Sequence, residues 1–423
     1  MKLKKLIVAA AVLSAAASFA QVNVVSTQLR PVQEIEKVRT VLVKDAKPEI
    51  NYIGEDPNTY NTRMMAEAQA SSGKVHVTIA LDSELSPLNA AGALQDIDDV
   101  MNRLSTSREW SGSFKDLAKM GGTSTRFIPF LTNTFQMAAN KKALQYLPQG
   151  ANINNLTWAQ TIQWAKNIKA ATGEDKFGLP GGPSGLIHRF FQGYALPAYT
   201  GGVVRNFKGQ DAEKMWADLK DLWTVTNKRS TSYNAMEEPL KTGEVWVAFD
   251  HTARLLPALT DKPDDFVAFP APSGPKGRFF MPVISGLSIP KNTPDRAASE
   301  AAIAHLTSPA VQAKALAEVG WFPTVKADIG TLPKGVQIAA IGVGQTYSAP
   351  GARGALLPSG LGAKNGEFNK VFIDSFQRII VRNEDVKTVL NQQGQALAEV
   401  MKEANARCWA PDASSGTAPC PVQ

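Results

Sequence analysis

The sequence predicts an α/β fold. Three observations carry this: a strand–helix–strand–helix–strand order over residues 22–81, a series of amphipathic helices with readable caps, and a run of stops and starts over residues 266–325. Residues 22–25 (VNVV) read as a first strand, and residues 35–44 have helical spacing. Ile50, Tyr52 and Ile53 mark a second strand. Residues 60–70, rich in Met, Ala, Glu and Gln, form a helix closed by Ser71-Ser72-Gly73. Residues 75–81 alternate and are rich in β-branched side chains, a third strand. Strands that alternate with helices pair in parallel. Ligands of such sheets lie beyond the C-terminal strand ends, which makes Asp82-Ser83-Glu84 a binding loop.

Further along, residues 127–140 (FIPFLTNTFQMAAN) read as a strand. The helix after Thr157 opens on a capping box with Gln160 and ends at Gly173. Residues 211–225 form another amphipathic helix. GEVWVAFDHTARLLPAL, from Gly243, gives a short apolar strand and then polar residues opening a helix. Over residues 266–325, a short apolar run stops at Pro270, and Pro272, Gly274, Pro275 and Gly277 interrupt regular structure. A strand resumes at residues 283–289. Thr293-Pro294 and Ser308-Pro309 each look like a helix start, with Pro in the position where its missing N–H costs nothing. Gly320 supplies a stop before Trp321-Phe322-Pro323. The last helical stretch is residues 368–406, with Gly394 as its weak point, and residues 414–423 are a small polar tail.

The N-terminus MKLKKLIVAAAVLSAAASFAQ has a positive start, an apolar run and small residues at the cleavage-determining sites. It predicts an export signal over residues 1–20, cleaved before Gln21. No Cys follows the run, so no lipid anchor is expected, and the run is short for a spanning helix. The only cysteines, Cys408 and Cys420, are a close pair. In an exported chain they predict a disulfide, the alternative being two free thiols. Two cysteines and four scattered histidines offer no metal-ligand spacing. The formal charge is +7, or +4 once the three leader lysines are removed, and the basic residues are dispersed. A nucleic-acid-binding stripe is therefore not expected.

The stretches FIPFLTNTF, TWAQ, GEVWVAF and GWFPTV, in this order, resemble the family 1 extracellular solute-binding proteins of ABC importers, the maltose-binding-protein-like group. The resemblance spans residues 22–406. It implies a two-lobed periplasmic binding protein fold, each lobe a sheet flanked by helices, with the ligand cleft between. Carried onto this chain, lobe one is residues 21–131 with 272–322, lobe two is residues 132–271 with 323–406, and 407–423 form a tail. The implied activity is capture of a small-molecule solute, a sugar or oligosaccharide, for delivery to ABC permease membrane subunits by cleft closure. The implied protein is a monomer without cofactor, located in the periplasm or cell envelope. A carbohydrate-acting enzyme, or a partner presenting solute to a sensor kinase or chemoreceptor, stays open beside it.

No GxSxG, HExxH, phosphate-loop or EF-hand pattern occurs, and Gly342-Val343-Gly344 lacks the third glycine of a dinucleotide loop. No catalytic residue is assigned. A carbohydrate-acting enzyme would need two facing carboxylates, for which Asp82 and Asp250 are the cross-lobe couple. A solute cleft needs convergent polar groups and apolar walls. Candidates sit where strands end: Asp82 and Glu84, Asn133, then His188, Arg189 and Tyr194 in a Gly-rich segment, then Asp250, His251 and Arg254, then Ser285 and Gly286, and Trp321 on the cleft wall. Asp250 equally suits a helix cap, and Trp321 a core position. Trp158, Trp164, Trp216 and Trp223 have helical spacing and read as packing residues. The first-strand loop, Ser26-Thr27-Gln28, lacks the aromatic residue common in sugar-binding relatives, and Arg189 and Arg254 also suit an anionic or phosphorylated solute.

Overall fold

The computed structural model describes residues 21–28, 32–110 and 112–423. The leader read at residues 1–20 lies outside them. Among the described residues the strands, in chain order, are β1 (Val22–Ser26), β2 (Ile50–Gly54), β3 (Val77–Leu81), β4 (Ile128–Asn133), β5 (Phe135–Asn140), β6 (Phe177–Gly178), β7 (Val247–His251), β8 (Phe266–Phe269), β9 (Phe279–Phe280), β10 (Val283–Ser288), β11 (Phe322–Pro323) and β12 (Arg353–Gly354).

They build two principal sheets. The first has the order β11-β4-β10-β3-β1-β2, the second β6-β7-β5-β8, and β12 pairs with β9 alone. The expected parallel unit is present, with β1 between β2 and β3 and parallel to both. Later chain then returns to this sheet as antiparallel strands, β10 beside β3 and β4, and β11 beside β4. Each sheet has its own apolar core. Val22, Val24, Val77, Ile79, Phe127, Phe130, Ile284 and Leu287 lie in the first. Phe135, Met137, Phe249, Phe269, Phe279 and Met281 lie in the second. Helices cover both. The helix Trp158–Thr172 opens on the predicted Thr157/Gln160 capping box and ends at Gly173, whose φ of 74° is the left-handed conformation glycine adopts without strain.

The chain crosses between sheets three times. Thr134 is the one residue between β4 and β5, which belong to different sheets. Met281 and Pro282 separate β9 from β10. The third crossing follows β11 and leads to the helix Lys334–Ser348. Two expected crossing points move. Residues 272–281 were assigned to the first lobe, but Phe279 and Met281 are buried in the second core. Trp321-Phe322-Pro323 was read as the third crossing. Instead Phe322 and Pro323 pair with Thr132 and Leu131 of β4. Thr324 Oγ1 donates to Pro129 O at 2.8 Å, and Val325 bridges to Trp110, so the chain leaves the first sheet only beyond Val325.

Several local readings also change. The helix expected from Thr293-Pro294 begins at Arg296, because the Asp295 carboxylate caps Ala298 N. The stretch 368–406 breaks not at Gly394, which is buried in the helix Val386–Glu403, but near Asn383, whose φ is 55°. Asp385 caps the restart by accepting from Thr388 N at 2.8 Å. The polar tail is docked: Cys408 and Cys420 are joined, Cys420 is buried in the second core, and Trp409 packs on Phe368. The Asp412 carboxylate accepts from the amides of Val203, Val204 and Arg205 at 2.9–3.0 Å. Among the described residues no helix is long and apolar enough to cross a membrane.

Candidate functional site

The expected binding loop at residues 82–84 is the first turn of a helix, Asp82–Ala90, entered directly from β3. The Glu84 side chain causes this: its Oε2 reaches back to accept from Leu81 N at 3.0 Å, satisfying an N–H that a helix start leaves orphaned. The same oxygen accepts from Thr27 Oγ1 at 2.7 Å, which fixes the carboxylate to the end of β1. Asp82 accepts from Ser83 N at 2.8 Å. Both carboxyls thus stand at the C-terminal edge of the first sheet.

Arg189 faces them from the second lobe, on the helix Ile187–Phe190. Its Nη1 donates to Gln192 Oε1 at 2.9 Å, and Gln192 in turn donates to Asn369 Oδ1 at 3.0 Å. Each of the three charges perturbs the others. Burial pushes Asp82 up to about 7, against the opposing pull of the Ser83 N–H and Arg189. Burial also raises Glu84, with Thr27, Leu81 N and Arg189 opposing. Burial lowers Arg189 to about 10, while Glu84 and Asp82 hold it up. Among the described residues no ion pair within 4.0 Å joins Arg189 to either carboxylate. Opposite charges therefore meet across the junction of the lobes without neutralising each other by contact.

Next to Arg189, the His188 Nδ1 is buried without a partner. Burial first, then Arg189 and Arg254, keep this imidazole neutral. Two further orphaned atoms lie in the first sheet: Asn133 Oδ1, at the end of β4 on a residue 3 % exposed, and Ser285 Oγ, within β10 on one 0 % exposed. A buried polar atom without a partner costs about 1–3 kcal/mol, and a site that awaits a polar ligand is one place where that cost is tolerated. Tyr347 adds a hydroxyl 3.4 Å from both Thr132 Oγ1 and Asn133 O.

Other expected site residues have protein partners. Asp250 is fully buried, and its two oxygens accept from Met236 N and His251 N. The backbone thus holds both oxygens, and the cap of the next helix falls to another residue. His251 is the cap, accepting from Ala253 N through Nδ1 at 3.3 Å, and its ring meets Phe135 edge-on at 5.0 Å. Burial, then Arg254, takes its pKa down to about 3. Arg254 Nη1 ties the carbonyls of Ser184 and Asn234. A Cβ at Gly286 would lie 2.3 Å from the Phe127 ring, so glycine there admits a core phenyl group. Tyr194 is fully enclosed, with its hydroxyl on Thr134, Phe135 and Met281. Trp321 is in the first core, edge-on to Phe130.

Sequence reasoning missed Thr27, Gln192, Asn369 and Tyr347. Tyr347 was hidden because the helix Lys334–Ser348 went unread: it has no side-chain cap, and Gly335, Gly342 and Gly344 blur its pattern. For Gln192 and Asn369, residues 177 apart in sequence, no local pattern signals the contact. A hollow of about 450 Å³ lies elsewhere, along β8, between Phe266, Val267 and the helix residues Ile338 and Ile341. A groove of about 400 Å³ does span both lobes, from Glu34 and Val319 to Ala253, Leu256 and Pro257.

A family model described as bacterial extracellular solute-binding protein matches residues 42–335. Among solved structures, the fold is similar to maltose-bound MalE3 of T. maritima, at 18 % identity and TM-score 0.70, covering 89 % of this chain and 98 % of that one. It is also similar to UgpB of Mycobacterium tuberculosis in complex with glycerophosphocholine, at 17 % identity and TM-score 0.68, covering 90 % and 99 %. The GacH receptor of Streptomyces glaucescens, solved with acarbose, gives 16 % identity and TM-score 0.69, covering 90 % and 98 %. No curated protein sequence matches the chain.

Proposed function

Since the chain belongs to the bacterial extracellular solute-binding protein family, we propose that it captures a polyhydroxylated solute, a sugar or oligosaccharide, between its lobes and hands it to the membrane subunits of an ABC importer. The observation that carries this reading is the facing of Asp82 and Glu84 by Arg189 without contact. Carboxylates accept from sugar hydroxyls and a guanidinium donates to them, so one solute can engage both lobes. A solute that does so stabilises the closed arrangement by the contacts the open one lacks. His188 Nδ1, Asn133 Oδ1 and Ser285 Oγ supply further partners along the same junction. The proposed lobes are residues 21–133 with 283–325, and residues 135–281 with 334–423. Export by the N-terminal leader and a monomeric state complete the proposal.

A second reading has its own support. Arg189, Arg254 and neutral His188 gather on the second lobe, chemistry that suits a phosphate ester, and one structural relative was solved with glycerophosphocholine. A thermal-shift screen of maltose, galactose, chitin oligosaccharides and glycerophosphocholine separates the two. The expected result is a rise in melting temperature with a sugar. A rise with glycerophosphocholine alone selects the second reading, and no rise with any solute counts against both.

A further inference from the structure

We propose that the groove between the helices Val32–Lys37 and Thr252–Asp261 extends the solute site, so that the solute is an oligosaccharide whose outer units lie along it. This rests on the reading that a sugar is held where Asp82 and Glu84 face Arg189. The groove has a volume of about 400 Å³, inside the range of roughly 300–1,000 Å³ in which pockets hold small molecules. Glu34, Lys37 and Val319 of the first lobe form one wall, and Ala253, Leu256 and Pro257 of the second form the other. A Cβ at Gly320, where φ is 78°, would lie 2.5 Å from Leu256 Cδ2, so glycine lets the turn after Val319 come up against the second lobe. Both walls run on to the opposed charges. On the first lobe, burial raises the Tyr52 pKa, with Ser26 opposing and Glu34 adding to the rise, which puts Glu34 beside Tyr52. The Tyr52 hydroxyl donates to Ser26 Oγ at 2.8 Å, at the end of β1, and the next residue, Thr27, holds Glu84. On the second lobe, Ala253 adjoins Arg254, whose charge reaches His188, the neighbour of Arg189.

The chemistry of the groove selects uncharged, hydroxylated units. Glu34 lines it while only 8 % exposed. Its Oε1 accepts from the Trp321 indole, and its Oε2 has no hydrogen-bond partner among the described residues. Burial raises this carboxyl to about 7, against the Trp321 N–H, so near neutral pH it can donate to a hydroxyl as well as accept from one. Asp261, exposed on the opposite wall, is a second acceptor. Both lysines of the groove are already engaged. Lys37 Nζ donates to Glu318 O and lies 3.9 Å from Glu318 Oε2, and Lys241 Nζ lies 3.5 Å from Glu238 Oε2. Phosphate binding wants free cations, and the groove's two are spent. Ala253, Leu256, Pro257 and Val319 supply the apolar surface that the C–H faces of a sugar ring pack on.

The test is the dependence of affinity on chain length. Calorimetric titrations use glucose, maltose, maltotriose and maltotetraose, the chitin series from N-acetylglucosamine to its tetramer, galactose and glycerophosphocholine. They are run on wild type, Ala253→Leu and Asp261→Ala. The first variant fills the groove; the second removes an acceptor at an exposed position, where folding is not at stake. In one series, wild-type affinity should climb about tenfold from the dimer to the longer chains, the worth of one or two added hydrogen bonds. Ala253→Leu should erase that climb, and Asp261→Ala should weaken the longer chains about fivefold. The dimer should bind both variants as it binds wild type. Affinity that is flat with length, a climb that both variants keep, or binding of monosaccharides alone overturns the extended site and leaves a sugar receptor standing. Binding of glycerophosphocholine alone, or of no sugar, sinks the sugar reading itself and the extension with it.

Discussion

The Trp321 indole donates to Glu34 Oε1 at 2.8 Å within the first core, joining residues 287 apart in sequence. Burial raises the Glu34 carboxyl from its ordinary 4.5 to about 7, with the Trp321 N–H opposing. Between those pH values the unfolded chain releases a proton that the folded chain keeps, so stability falls as pH rises through that window. Glu34→Gln keeps the acceptor for Trp321 and removes the titration. It should gain about 2 kcal/mol over wild type at pH 8 and nothing at pH 4, read as urea midpoints. Equal shifts at both pH values would assign the effect to packing.

If Arg189 meets solute as proposed, its loss is read in affinity. Arg189→Gln should weaken binding of the sugar identified by thermal shift about tenfold or more, the value of a charge-assisted hydrogen bond. The unliganded melting temperature should fall only modestly, since no ion pair is broken but the hydrogen bond to Gln192 is lost. Calorimetric titration gives the affinity; an unchanged value removes Arg189 from the site.

Gly286 and the cleft part company in a second variant. A Cβ there meets the Phe127 ring at 2.3 Å, so Gly286→Ala should cost about 1–3 kcal/mol through overpacking. Solute affinity per folded molecule should not change. A large affinity loss with normal stability would return Gly286 to the ligand site.

The docked tail should contribute to stability through Asp412. Asp412→Ala strips three amides of their acceptor, two of them on buried Val203 and Val204. The expected loss is about 2–4 kcal/mol. Asp412→Asn, which keeps one carbonyl oxygen, should lose less. Urea denaturation of both variants measures the difference.

Much of the architecture was legible because its causes are local. Alternation over residues 75–81, the capping box at Thr157 and the left-handed stops at Gly173 and Gly320 each depend on neighbours within a few residues. The positions of Asp82, directly after β3, and of Asn133, at the end of β4, followed from the same pattern. The errors are of another kind. Asp295, and not Thr293, caps its helix, because the Thr293 hydroxyl is engaged with Ser299 Oγ and His76 O. The break at Asn383 falls at a positive φ, which asparagine tolerates better than most residues other than glycine.

By itself the sequence determined the first strand–helix–strand unit and most of the capped helices, the export leader as an expectation, and the family resemblance that a family model matching residues 42–335 bears out. Tertiary structure decided which polar residues are free to meet a ligand. Asp82 directly follows β3 and Asp250 lies near the end of β7, yet only Asp250 has each of its two oxygens on a backbone N–H group. Trp321 and Tyr194 were equally plausible cleft aromatics, until Glu34 and the two crossings claimed their polar atoms. Partners so distant along the chain leave no periodicity behind. A side chain's role follows from whether its hydrogen-bonding capacity is already used, and that is settled only when the lobes are assembled.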